Sequence, residues 1–235
     1  MNIYQEIAIP LIRVYLTLVS LCLPSLLFAQ NWSEKDYERY TIAEFYELDA
    51  IYQPIDFEHI DRPLLHAAIF YVTNEMRQKR RLPLFKHLPT AEKVAKDHAD
   101  DMVKYDFYSH YSKVPGKKFL TDRMKLEGMD PYCYAENISS SNGLQYEYGR
   151  RVNPPGPKGV FTYASRSRKE EIVPHTYISF ARSVLILWMN SRTHKNNIIS
   201  TCYQYLGCAA AYYGDDTFYD MPNFISVQCF SSEQK

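Results

Sequence analysis

The spacing of hydrophobic positions predicts two amphipathic helices in the first half of the chain. After Pro63, and again after Thr90, apolar residues recur every three to four positions, as expected for a buried helix face. Thr90 is the expected N-cap of the second helix, and Pro83 closes the first. His98 lies on the apolar stripe and is therefore expected to be a core histidine. The two stripes are Leu65, Ala68, Ile69, Val72 and Met76, then Ala91, Val94, Ala95, His98 and Met102.

Later segments change in character from helical to strand-like. A short helix is expected over 121–126, a strand-like segment over 131–139, and a longer helix from Tyr177. The chain ends with a predicted hairpin, formed by 205–213 and 223–230, in which apolar residues alternate. Helices early and an antiparallel hairpin late favour an α+β fold over a doubly wound parallel sheet.

Two further segments flank or interrupt these elements. Residues 31–60 carry eight acidic residues against Lys35 and Arg39, and their apolar positions permit a helix that Pro54 ends. We expect this extension, residues 30–62, to pack on a main domain of residues 63–232. Residues 140–175 are rich in Ser, Gly, Pro, Tyr and Arg, which predicts a long loop inside that domain.

An apolar run near the start of the chain predicts export. Residues 14–28 have the length of the apolar core of a secretory signal, Arg13 precedes them, and a small residue stands at Ala29. The sequence therefore predicts a signal peptide of residues 1–29, leaving no membrane span after cleavage. A retained anchor helix is the alternative. The expected location is extracellular or periplasmic.

Charge excludes one large class of partners. The 235 residues include 27 Lys and Arg against 27 Asp and Glu. Nucleic-acid binding is not expected, because a phosphate backbone favours a strong basic excess.

Cysteine usage agrees with export. Removal of residues 1–29 leaves four cysteines, which allow two disulfides in three connectivities. Cys208 and Cys229 lie on the predicted partner strands, so we expect them to form one bond and Cys133 and Cys202 the other. There is no CxxC pair, which gives little support to a structural zinc cluster.

Three polar residues are the main candidates for chemistry. His110 follows a helix, Glu136 is flanked by small and apolar residues, and His194 lies six residues after Trp188. Two imidazoles and a carboxylate can hold a divalent metal or perform acid–base catalysis. A buried hydrogen-bonded network is the alternative. Ser191 can be read as a nucleophile beside His194, although a helix-ending role fits its position better.

At these residues the chain resembles the CAP superfamily, which comprises cysteine-rich secretory proteins, antigen 5 and plant pathogenesis-related type 1 proteins. The likeness covers about residues 63–230 and is closer to the bacterial SCP-like branch. The motifs that carry it are Ala95-Lys96-Asp97-His98-Ala99-Asp100-Asp101-Met102, Tyr108-Ser109-His110, Asp122-Arg123, Glu136-Asn137-Ile138, Trp188-Met189-Asn190-Ser191-Arg192-Thr193-His194, Leu206-Gly207-Cys208-Ala209 and Ile225-Ser226-Val227-Gln228-Cys229-Phe230.

The resemblance implies a three-layer α-β-α sandwich with a mainly antiparallel sheet and a cleft lined by a His/Glu/Glu/His tetrad. His110, Glu136 and His194 match three members of the tetrad. Ser191 stands where the eukaryotic pattern has its second glutamate, which puts a four-ligand metal site in doubt. The stretch before Trp188 is longer than in the family, which places the 140–175 loop near the rim of the cleft.

Three functions follow as hypotheses. The first is a secreted binding module for a sterol or other small hydrophobic ligand, a glycan or a surface protein. In this module His110 and His194, with Glu136 as a third member, would hold zinc or another divalent metal. The second is a metal-dependent hydrolase in which Glu136 is the general base. The third is a structural envelope protein that docks through residues 31–60.

Overall fold

The computed structural model describes residues 32–156, 159–165 and 170–233. The predicted signal peptide, residues 1–29, lies outside the described residues and stays a prediction. Within the described ranges no helix is both long enough and apolar enough to cross a membrane. The helices are α1 Asp36–Arg39, α2 Ile42–Tyr46, α3 Arg62–Lys79, α4 Pro89–Lys104, α5 Leu120–Leu126, α6 Tyr177–Asn190 and α7 Arg192–Ile199; the strands are β1 Lys86–His87, β2 Tyr134–Asn142, β3 Val152–Asn153, β4 Thr162–Tyr163, β5 Glu170–Glu171, β6 Tyr205–Asp215 and β7 Met221–Ser231.

The starts of α3 and α4 show two ways to begin a helix. The side chain of Asp61 accepts a hydrogen bond from the amide of Leu64 at 3.0 Å and so caps α3. Helix α4 begins instead with Pro89, whose fixed φ suits the first helical position. The prediction of Thr90 as N-cap was therefore wrong, because proline starts the helix one residue earlier.

One mixed sheet forms the middle layer. Its order is β1-β6-β7-β2. The pairs β6–β7 and β2–β7 are antiparallel, and only the two-residue strand β1 runs parallel to its neighbour β6. The predicted hairpin and the mainly antiparallel sheet are confirmed.

Helices cover both faces of this sheet. On one face α4 packs with Ile138 and Val227 in a buried cluster that also includes Met124 of α5. On the other face α3 and α6 bury Leu206 and Phe230 in a second cluster. The α-β-α sandwich is thus confirmed, and β2 lies at an edge where both helical layers are within reach.

The acidic N-terminal segment is part of the core. It forms α1, α2 and a short 3-10 helix, Asp49–Tyr52, rather than one helix. Its side chains Trp32, Phe45 and Ile51 are at most 7% exposed and belong to the same cluster as α3. Since these large side chains are buried against the sandwich, the segment packs on it, and docking through residues 31–60 stays a hypothesis.

Residues 140–175 contain secondary structure, contrary to the prediction of a structureless loop. Strands β3, β4 and β5 form a small antiparallel sheet. A hydrophobic cluster that includes Leu144, Phe161 and Met221 packs it against the β6–β7 turn. Leu144 lies eight residues beyond Glu136, about 27 Å along an extended strand. The segment itself begins at Ser140, four residues from Glu136 on the same strand, so its predicted position near the rim of the cleft stays a prediction.

The cysteines follow the strand register. Cys133 and Cys202 form a disulfide with a Cα–Cα separation of 6.1 Å. Cys208 and Cys229 are both free and buried. The register pairs Gly207 with Cys229, so Cys208 is displaced by one residue and points to the opposite face of the sheet. The predicted Cys208–Cys229 bond was wrong, because partner strands bring two cysteines together only when both side chains share a face.

Candidate functional site

The three predicted site residues meet at the outer edge of β2. His110 comes from the loop between α4 and α5, in one helical layer, while His194 comes from α7 in the other. Glu136 is the third residue of β2 and contributes its side chain from the sheet. Residues that span 84 positions of the sequence are therefore brought together by the edge of the sandwich.

Glu136 is the buried centre of this cluster. Its Oε1 accepts a hydrogen bond from Nδ1 of His110 at 2.8 Å, and its Oε2 accepts one from Nη2 of Arg123 at 2.6 Å. The side chains of Glu136 and Arg123 are only 3% and 2% exposed. Both carboxylate oxygens are thus occupied by protein donors.

The environment keeps Glu136 ionised. Burial alone would raise the pKa of Glu136, but the hydrogen bond from His110 and the positive charge of Arg123 outweigh it and lower the pKa below its ordinary value. A buried anion with a lowered pKa is a poor general base, because its proton affinity is below the ordinary value.

His110 is oriented by this anion and faces solvent. Because Nδ1 donates to Glu136, Nε2 is the nitrogen that remains for a partner molecule. The side chain is 46% exposed, in contrast to the buried carboxylate behind it. The main chain is held as well, since Nη1 of Arg123 donates to the carbonyl of His110 at 3.3 Å.

His194 stands beside His110. The two ring centroids are 6.3 Å apart and the ring planes are inclined by 47°. Burial and the nearby His110 both lower the pKa of His194, so the neutral imidazole is favoured near neutral pH. The site therefore offers one oriented and one neutral imidazole on the same surface.

Two supporting residues had roles that the sequence did not reveal. His98 is fully buried, and its Nε2 donates to the carbonyl of Ser109 at 3.0 Å, next to His110. Burial lowers the pKa of His98, which favours the neutral ring. His98 was predicted only as a core residue and Arg123 only as part of a motif. The one signal in the sequence was that both residues belong to family motifs that flank the motif containing His110.

Ser191 lies between two helices. It follows the last residue of α6 and precedes the first residue of α7, and its carbonyl accepts the amide of Lys195 at 2.9 Å. Across the described residues, no hydrogen bond joins its hydroxyl to His194. This position is that of a helix boundary, where Ser is common.

The donor set does not fit a protein-bound zinc ion. Zinc sites use three or four protein ligands, whereas only His110 and His194 have nitrogen atoms available here. The nearest carboxylate is taken by Arg123 and His110. In the parts of the chain that the structure describes, no group of three or more His, Cys, Asp or Glu is placed to hold a metal.

Exposed aromatic rings surround His110 along the chain. Tyr108 and Tyr111 flank it and are 53% and 61% exposed, and Phe119 contacts Tyr111 edge to face at 5.7 Å. Tyr134, 44% exposed, lies two residues before Glu136 and so on the same face of β2. The surroundings of the imidazoles are open and aromatic.

A second carboxylate–imidazole cluster lies elsewhere and was not predicted. The carboxylate of Glu92 contacts Nδ1 of His66 at 2.9 Å, Nε2 of His87 at 2.6 Å and the hydroxyl of Tyr37 at 3.2 Å. The ring of Tyr37 stacks on His87 with centroids 3.6 Å apart. This cluster fastens α1 to the sandwich.

A cavity lies beside that second cluster. It has a volume of about 1130 Å³ and lies between the N-terminal segment and α3, with Tyr37, Phe70 and His87 among its lining residues. Neither His110 nor His194 lines it. The cavity is therefore separate from the imidazole pair, and its volume alone does not define a site.

Comparison with known proteins identifies the family. The model of the cysteine-rich secretory protein family, CAP, matches residues 70–230. A comparison with curated proteins found no match.

Solved structures resemble this chain at low identity. An extracellular protein containing an SCP domain from Bacillus anthracis is 20% identical, with a TM-score of 0.49, over 77% of this chain and 45% of that chain. An outer surface protein from Borrelia burgdorferi is 16% identical, with a TM-score of 0.44, over 77% and 98%. A cysteine-rich secretory protein from Staphylococcus aureus is 12% identical, with a TM-score of 0.43, over 73% and 39%. The aligned region thus spans less than half of the first and third proteins.

The family match covers more than half of the chain and includes every residue of the imidazole site. The order of motifs along the sequence and the three-layer architecture agree with it. This chain belongs to the cysteine-rich secretory protein (CAP) family.

Proposed function

We propose that this protein is an exported CAP-family binding protein that contacts its partner through His110 and His194. The observation that carries the proposal is the geometry at His110: Glu136 holds Nδ1 at 2.8 Å while the side chain remains 46% exposed. An imidazole held in this way presents Nε2 in a fixed direction. The disulfide and the predicted signal peptide support export.

The open, aromatic surroundings favour a glycan or protein of the cell envelope over a buried lipid chain. Exposed tyrosine rings offer apolar area together with a polar hydroxyl, a combination common in interfaces. A hydrocarbon ligand would instead require an enclosed apolar pocket.

Envelope binding by purified variants tests this function. Binding of the mature protein to envelope preparations of the producing organism is measured by interferometry. We expect His110→Ala and Tyr111→Ala to weaken binding at least tenfold. Tyr148→Ala is the control, because Tyr148 is 99% exposed and lies beyond the far end of β2. Equal affinities for all variants would refute the proposal. Prior treatment with protease or glycosidase distinguishes a protein partner from a glycan.

The hydrolase hypothesis receives less support from the geometry. It requires Glu136 to activate a metal-bound water, yet both of its oxygens are occupied and it is almost fully buried. Calorimetric titration with zinc at pH 7.5 and 5.5 tests the metal separately. Saturable binding at pH 7.5 that His194→Ala abolishes would overturn our metal-free description.

A further inference from the structure

A chain of buried side-chain hydrogen bonds crosses the sandwich behind His194. We name it the amide chain; it starts in α7, passes through β2 and β7, and ends in α3, with the members Asn197, Asn137, Gln228 and Thr73. Three of the four, all except Asn197, are completely buried. A buried polar network is expensive unless all its members are satisfied, so its arrangement is strongly specified.

All hydrogen bonds of the amide chain run in one direction. Asn197 donates to Oδ1 of Asn137 at 2.8 Å, and Asn137 donates to Oε1 of Gln228 at 3.0 Å. Gln228 in turn donates to the hydroxyl of Thr73 at 2.7 Å, which donates to the carbonyl of Ile69 at 2.7 Å. Hydrogen bonds aligned in this way strengthen one another.

The amide chain reaches the candidate site at its α7 end. The second N–H of Asn137 donates to the carbonyl of His194 at 3.2 Å. Asn197 also donates to the carbonyl of Glu136 at 3.5 Å. The first turns of α7 are thereby fixed against the strand that holds Glu136, and Glu136 holds His110.

We propose that the amide chain is a positioning device, which holds His194 at its separation from His110 by anchoring α7 to α3. The residues of the amide chain do not contact a ligand; they act through the backbone of His194. This inference rests on the proposed function only in treating the imidazole pair as the binding site.

Thr73→Val is the sharpest test, because it removes a hydroxyl at almost constant volume. Thr73 lies in α3, at the end of the amide chain that is opposite to α7 and His194. The wild type is expected to give a nuclear Overhauser contact between the ring protons of His110 and His194. Thr73→Val and Gln228→Met should abolish it and shift the His194 ring resonances, while those of His98 stay in place.

Two control variants separate positioning from loss of stability. Thr73→Ser keeps the hydroxyl but loses a methyl group, so it should restore the ring contact despite a less well packed core. Ser226→Ala changes the same face of β7, two residues from Gln228, where the hydroxyl has no hydrogen-bond partner among the described residues. It should leave the ring resonances unchanged.

The outcomes distinguish this inference from the proposed function. Unaltered ring contacts in Thr73→Val and Gln228→Met, or equal disturbance in Thr73→Ser, would overturn the positioning role. If the ring contact is lost but envelope binding is unchanged, the positioning role is supported and the proposed function fails. If both are lost, with binding at least tenfold weaker, both are supported.

Discussion

Arg123 and Glu136 form an ion pair of 2.6 Å in which neither side chain is more than 3% exposed. The pair lies directly behind His110, and the hydrogen bond from Nδ1 of His110 to Glu136 orients the exposed imidazole. Buried pairs of this kind contribute little net stability, but the loss of one partner leaves a charge without compensation. The pair is therefore best regarded as a fixed support for the site.

Removal of the arginine should be costly. Arg123→Met removes the guanidinium and leaves the buried Glu136 beside the imidazoles of His110 and His98. It is expected to lower the free energy of unfolding by about 3–5 kcal/mol. Urea denaturation measures this loss. The double variant Arg123→Met/Glu136→Met should lose less than the single variant, because it removes the stranded charge. Lys96→Ala, which breaks an exposed pair with Asp100, should cost less than about 1 kcal/mol. Similar losses for Arg123→Met and Lys96→Ala would contradict this account.

Gly207 permits the close contact between β6 and α4. A Cβ atom at this position would collide with the backbone of Ala91 and Glu92 in the first turn of α4. Backbone cannot rotate away, so Gly207→Ala should destabilise the protein by several kcal/mol or prevent folding. Gly214→Ala is the control, since its nearest neighbour lies at an ordinary 3.5 Å. Thermal unfolding of both variants provides the measurement, and equal midpoints would refute the packing argument.

The thiol count should distinguish one disulfide from two. After cleavage at Ala29, the denatured and non-reduced protein should contain two reactive thiols, those of Cys208 and Cys229. Native protein should react slowly, because both are buried. The bond between Cys133 and Cys202 spans 69 residues and should contribute about 4 kcal/mol. Zero reactive thiols after denaturation would mean that a second bond forms.

Glu92 should make the attachment of α1 resistant to acid. Burial opposes its ionisation, but hydrogen bonds with His66 and His87 lower the pKa of Glu92 to about 2. Since the folded pKa lies below the unfolded one, the stabilisation is complete above about pH 4.5 and is lost toward pH 2; it amounts to at most about 3 kcal/mol. The stability difference between wild type and Glu92→Gln should therefore shrink over this range. A constant difference would argue against an ionised Glu92, and exposed Glu34→Gln is the control.

His175 should cause loss of stability at a higher pH. Burial lowers the pKa of His175 to about 4. The unfolded chain then binds more protons than the folded one between about pH 6.5 and 4, so stability falls as pH decreases through that window, by at most about 3 kcal/mol. His175→Gln should remove this part of the pH dependence. His59→Gln, at an 80% exposed side chain, should not. Urea unfolding at pH 7, 5.5 and 4 makes the comparison.

Local patterns of the sequence were sufficient for most elements of the fold. The stripe from Leu65 to Val72 predicted α3, and the alternation around Val227 predicted the last strand, although both elements are buried on more than one face. The resemblance added the order of the layers. The prediction of Thr90 as N-cap was wrong because Pro89 is already the first residue of the helix.

Contacts between residues of different helices and strands were harder to predict from the sequence. The sequence determined which residues could carry chemistry, including His110, Glu136 and His194, and which segments would be buried. Only the tertiary structure decided that Glu136 forms an ion pair with Arg123, that Cys208 and Cys229 face opposite sides of the sheet, and that Asn137 reaches α7. The physical reason is that periodicity records how each side chain divides between core and solvent, whereas strand register and helix packing select its partners.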